Sequence, residues 1–191
     1  MDNESVINQL REKCWERAFE AFGTAAIFER RASNLRWKLH LLAFLGLGTP
    51  LVVGSVVLSF DLESRYLLLL KALAGILTVP LFAVSLWSLV AKWEDKLSYA
   101  LESSSANNRL SNDYREFAKN PPTEPEFRLG LDRLDIEDQL RNDTDNRQGI
   151  SEAEKRFGMR AALFKFQKQC ISCGKVPESL RPTSCNTCGN F

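Results

Sequence analysis

The sequence predicts an all-α membrane protein, a two-span transmembrane helical hairpin with long cytosolic helices and a small C-terminal zinc ribbon. Three observations lead there. Two apolar runs, residues 39–60 and 66–91, each exceed the about 20 residues a helix needs to cross a bilayer. Charged stretches with helical apolar spacing flank them. The chain closes on CISCGKVPESLRPTSCNTCGNF, which holds four of its five cysteines as two CxxC pairs eleven residues apart.

Residues 1–38 form the first element, an N-terminal cytosolic amphipathic helix. Val6, Leu10, Cys14, Phe22 and Ala25 fall on one side, with charges between them. The opening MDNESVINQLREK is polar and lacks the apolar core of a signal peptide. The hairpin follows over residues 39–91. Its first span, 39–60, carries one titratable group, His40 at the edge, and its second, 66–91, carries only Lys71. Pro50 and Pro80 are tolerated in spans. The link Asp61 to Arg65 is short enough to be a turn outside the membrane.

The flanks orient the hairpin. Arg30, Arg31, Arg36 and Lys38 precede it, Lys92 and Lys96 follow it, and the turn has only Arg65 beside two acids. The positive-inside rule places both termini in the cytoplasm, with Trp37 and Trp93 at the same interfacial level. Residues 92–120 then form a cytosolic helix that stops at Asn120-Pro121-Pro122. Residues 121–168 hold the C-terminal cytosolic helices: one from about Glu126 to Leu140, a polar loop RNDTDNRQG, and one opened by the capping box Ser151 to Glu154 and running to about Gln167. Residues 169–191 are the zinc ribbon.

Charge is nearly balanced, with 25 basic and 24 acidic side chains, which argues against bulk attraction to nucleic acid. It is unevenly placed. Acids predominate from Glu124 to Glu154, whereas Lys155, Arg156, Arg160, Lys165, Lys168, Lys175 and Arg181 face the single acid Glu178. Arg156, Arg160 and Lys168 are interleaved with Phe157, Phe164 and Phe166, a composition suited to phosphates and stacked bases. Arg156, Arg160, Lys165 and Lys168 are thus the candidate ligand-binding set. The competing reading has the phenylalanines packing the tail onto the helices and the charges solvated.

Cys170, Cys173, Cys185 and Cys188 have the spacing of a structural Zn2+ site, and each pair is followed by a glycine that suits a tight knuckle. A disulfide framework would scatter its cysteines through a secreted domain. Four sulfur ligands close the coordination shell and leave no position for catalysis. The chain has one histidine and no phosphate-binding glycine loop, because GLGTPLVVGS lies inside an apolar run and lacks the P-loop lysine. Asp132, Asp135, Glu137 and Asp138 read as a solvated acidic face. The sequence therefore points away from an enzyme.

Within the second span, Lys71, Gly75, Thr78, Phe82 and Ser85 share one face at 100° per residue. Close helix packing explains small and hydroxylated residues there. A pore explains them equally, with Lys71 at the outer mouth and Phe82 as a constriction, and it requires an oligomer.

The layout of a long helix, two spans with a short turn, further helices and CxxC-x11-CxxC resembles the SLATT proteins, in particular the mobile-element branch with this cysteine tail. Its specific part rests on Cys170, Cys173, Cys185 and Cys188. The resemblance implies a pore-forming effector of bacterial antiphage defence, a homo-oligomer expected to be a tetramer. It would sit in the lipid bilayer of the inner membrane and answer to a nucleotide or oligonucleotide made by a neighbouring nucleotidyltransferase. The alternatives are a membrane-anchored zinc-ribbon adaptor that recruits a protein or nucleic acid without conducting, and a toxin that disrupts the bilayer without a defined channel.

Overall fold

A computed structural model describes residues 3–59 and 64–191, with the side chains of residues 3, 53, 56–59, 64–71, 73, 74 and 77 outside the description. The elements are α1 (Asn3–Ser59), α2 (Ser64–Val90), α3 (Trp93–Lys119), α4 (Glu124–Asn146) and α5 (Glu152–Phe166). No strand occurs among the described residues. The expected ribbon is accordingly a pair of turn-built knuckles.

The membrane hairpin is corrected. Among the described residues, no helix is long and apolar enough to cross a membrane. Gly46, Gly48, Thr49 and Pro50 dilute the first apolar run, and Thr78, Pro80, Ser85 and Ser88 the second. Most of the expected turn at 61–65 lies outside the described residues.

The chain divides into two compact units: Met1–Arg30 with Ala100–Phe191, and Arg31–Tyr99. The core of the first joins three helices. Cys14, Ala18 and Ala21 of α1 meet Leu110, Tyr114 and Ala118 of α3 and Phe127, Leu131 and Leu134 of α4. Small residues on α1 let the larger side chains of α3 and α4 close over them. Polar groups pin the register. The Ser111 hydroxyl donates to the Ala18 carbonyl at 2.7 Å, and the Tyr114 hydroxyl donates to Asp135 at 3.0 Å.

Helix α4 runs past the expected stop at Leu140 because its last turns are held from α3. Fully buried Asp145 accepts from the Ser103 hydroxyl and from Asn107 Nδ2, each at 2.7 Å. A charge-assisted network of this kind is costly to leave unpaired in a core, so the polar segment RNDTDN stays helical through Asn146. Helix α5 opens where the sequence places its cap: the Ser151 hydroxyl accepts from Glu154 N, and the Glu154 carboxylate accepts from Ser151 N at 2.9 Å.

Helix α5 lies against α1 at a glycine contact. A Cβ on Gly158 would stand 2.7 Å from the Gly23 carbonyl oxygen and 2.9 Å from Ile27 Cδ1. Phe166, at the end of α5, is ringed edge-on by Trp15, Phe19 and Phe22 at centroid distances of 6.3, 5.7 and 6.0 Å. In the second unit many apolar side chains are exposed, among them Phe44, Leu47, Leu51, Val79 and Phe82.

Gly158→Ala should destabilise the chain by about 1–3 kcal/mol through overpacking, even though alanine is the better helix former. Gly46→Ala, in open space, should be neutral or slightly stabilising. Urea denaturation of the two variants checks this; equal midpoints would remove the close α1–α5 contact from the account.

Candidate metal centre

Helix α5 delivers the chain directly into the cysteine site. Gln167 ends it in the left-handed conformation at φ 52, and the Lys168 N–H caps the Leu163 carbonyl at 3.1 Å. The first knuckle follows, with Gly174 N donating to Cys170 O at 2.8 Å and Cys170 N donating to Lys175 O at 3.0 Å. Gly174 sits at φ 68, where a side chain would be strained. The second knuckle repeats the turn, Gly189 N donating to Cys185 O at 2.9 Å. The hydroxyls of Ser172 and Thr187, at matching positions in the two knuckles, are hydrogen-bonded to each other.

These turns bring the four sulfurs of Cys170, Cys173, Cys185 and Cys188 within 4.8 Å of one another. Cys170 Sγ lies 3.9 Å from Cys185 Sγ, and Cys173 Sγ lies 4.0 Å from Cys188 Sγ. A disulfide needs about 2.05 Å. A tetrahedron with metal–sulfur bonds of about 2.3 Å has edges of about 3.8 Å. The spacing is therefore that of ligands around one ion, and the four cysteines could bind a metal. All five cysteines are free. Cys14 lies apart in the helical core, where burial and then Asp135 push its thiol up to about 11.

Electrostatics within the tetrad also favours a cation. Backbone N–H groups of Cys188 and Thr187 lower the Cys185 thiol to about 6. Burial, followed by the neighbouring sulfurs of Cys170, Cys185 and Cys173, pushes Cys188 up to about 12. Four sulfurs this close repel as thiolates, and the positive charge of a bound metal ion would offset that repulsion and so favour their deprotonated form.

The tail arginines take part in this construction. Arg160 is buried, its Nε donating to Ser179 O at 2.7 Å and its Nη1 to Cys188 O at 3.3 Å. Arg156 Nη1 donates to Asn190 O at 3.0 Å. Lys165 Nζ lies 5.9 Å from the Phe22 ring centroid, and Lys168 Nζ lies 5.5 Å from that of Phe19. The four cations expected to bind a phosphate thus engage different partners. The two arginines hold the tail, and the two lysines cover aromatic rings of α1.

The tail also carries the likeness to known proteins. Residues 11–191 match the family described as Mobilome CxxCx(11)CxxC protein. The chain belongs to this family. The cysteine pattern that names the family is the one whose sulfurs converge here, so the mobile-element branch of the resemblance stands. The SLATT membrane identity gains no such support. No curated protein and no solved structure matches the chain.

The other expected site has a different outcome. The side chain of Lys71 lies outside the described residues. Gly75, Thr78 and Phe82 are exposed on α2, and Ser85 is partly so. The Ser85 hydroxyl donates to its own helix at Leu81 O, 2.8 Å away, and Thr78 Oγ1 reaches Gly75 O at 3.5 Å. Sequence reasoning took Arg30 only as a flanking charge and missed its contact with the tail: its guanidinium stacks 4.4 Å from the Phe157 centroid and 5.4 Å from that of Phe191. It also missed the Gly23–Gly158 contact, although a glycine inside a helical pattern is itself a signal of close approach.

Arg160→Ala should weaken metal binding about 10–100-fold, as loss of an outer-shell support does, with Arg160→Lys in between because one ammonium replaces a two-carbonyl fork. Competition with a chromogenic chelator measures both. Unaltered affinity in Arg160→Ala would confine Arg160 to filling space.

Proposed function

We propose that the chain is a non-catalytic adaptor whose tail is clasped by one structural zinc ion. The single observation that carries the reading is the sulfur tetrad, four cysteine ligands within 4.8 Å of one another. Tetrahedral all-sulfur sites suit zinc or iron, and a closed four-sulfur shell holds no open position for substrate. Structural zinc stabilises segments too short to build a core of their own. Here the ion would fix Cys170 and Cys188 against Leu163 and Phe19.

A protein partner suits the tail better than a nucleic acid. Arg156 and Arg160 are engaged by backbone carbonyls. At the tip of the first knuckle Ile171 is 95% exposed, and the clasp would hold it there as an apolar anchor. The pore of a nucleotide-controlled effector needs two membrane spans, which no helix among the described residues supplies. The adaptor needs none.

Purified protein washed free of loose metal should carry about one zinc per chain by elemental analysis, and cobalt exchanged into it should show tetrahedral thiolate bands. Iron, or no metal, would overturn the zinc assignment. For the adaptor, a photo-crosslinking residue at position 171 should capture one partner in the native cell. With the crosslinker moved to Leu180, Ile171→Glu should abolish capture while leaving zinc content unchanged. Capture that survives Ile171→Glu would remove the knuckle as the docking point.

A further inference from the structure

The second unit contains a groove that the cysteine site does not use. Leu41, Leu42 and Leu45 of α1 form one wall, and Pro80, Leu81 and Val84 of α2 form the other. Lys38 and Trp93 stand at one end, and Thr49 is the furthest lining residue along α1. On α1 the lining positions 38, 41, 42, 45 and 49 recur at helical spacing, so they make a single face. From Lys38 to Thr49 that face extends about 16 Å at 1.5 Å per residue.

We propose that this groove binds a single alkyl chain bearing an anionic head. Its volume is about 360 Å³, and it is open along one side, with Leu41, Leu45 and Val84 still 41–45% exposed. An extended alkyl chain laid along this face would cover those exposed leucine and valine side chains. Charge points the same way. Among the described residues Lys38 has no carboxylate partner, and its Nζ lies 5.7 Å from the Trp93 ring centroid. An apolar groove ending at an ammonium and an indole matches an amphiphile whose chain lies along the leucines and whose carboxylate or phosphate meets Lys38. Phe44 and Leu47 are exposed and do not line the groove, so general stickiness of the unit is separable from occupancy of the groove. The groove owes nothing to the metal.

The test is calorimetric titration of the full chain with n-alkyl carboxylates from octanoate to hexadecanoate, each below its micelle concentration. One molecule should bind per chain, affinity rising about fourfold per added methylene until the chain fills the groove and then levelling. Lys38→Met should weaken carboxylates about tenfold, the scale of a charge-assisted hydrogen bond, and leave the matching alkanols unchanged. Leu45→Trp should block carboxylate and alkanol alike. Because Leu45→Trp alters packing, its helical circular dichroism is compared with wild type, and if the two differ Lys38→Met alone decides. Uptake of many molecules without levelling, or binding indifferent to Lys38→Met, would overturn the proposal. Vesicles separate the sources: competition with dodecanoate by phosphatidylglycerol vesicles, but not by phosphatidylcholine vesicles, supports the proposal with a lipid as ligand. Failure of both to compete supports it with a free carboxylate.

Discussion

The tail of the first unit is organised around four sulfurs held close enough to bind a cation. Thiols at 3.9–4.0 Å are too far apart for a disulfide and too close to ionise together without help. The knuckle turns set that spacing, with a left-handed glycine in the first and, in the second, a glycine whose added Cβ would stand 2.8 Å from the Thr183 carbonyl oxygen. The polypeptide thus builds from backbone turns a shell of four sulfurs that could hold an ion.

The shell is joined to the helices on two sides. Leu163 of α5 and Phe19 of α1 pack against Cys170 and Cys188, so the ligands are also core residues. Arg160 reaches from α5 to the Cys188 and Ser179 carbonyls, fixing the second knuckle and the loop between the pairs to the same helix. Helix α5 then meets α1 through glycine backbone and through Phe166. The cysteine shell, Arg160 and the helix contact form one continuous mechanical connection from the tail into α1.

The parts of this that were legible in the sequence are those with local rules. The cysteine spacing named the ligands because knuckle geometry is set within a few residues, and the Ser151 capping box placed the start of α5 for the same reason. The end of α4 was illegible: RNDTDN has loop composition, and only Ser103 and Asn107, distant in sequence, make Asp145 a helical residue. The arginines were ambiguous in another way. A guanidinium binds phosphate and carbonyl oxygen by the same donors, so composition alone did not separate a ligand site from a structural clasp. Apolar length suggested spans, whereas the described helices include none long and apolar enough.

The most direct test of the connection is hydrogen exchange with and without metal. On removal of the ion by a thiol-compatible chelator, protection should fall in α5 and in α1 around Phe19 to Ala26, while amides of α3 and α4 around Leu110 and Leu131 keep theirs. Loss confined to residues 168–191, with α5 protection intact, would contradict the account and reduce the metal to a local ornament of the tail.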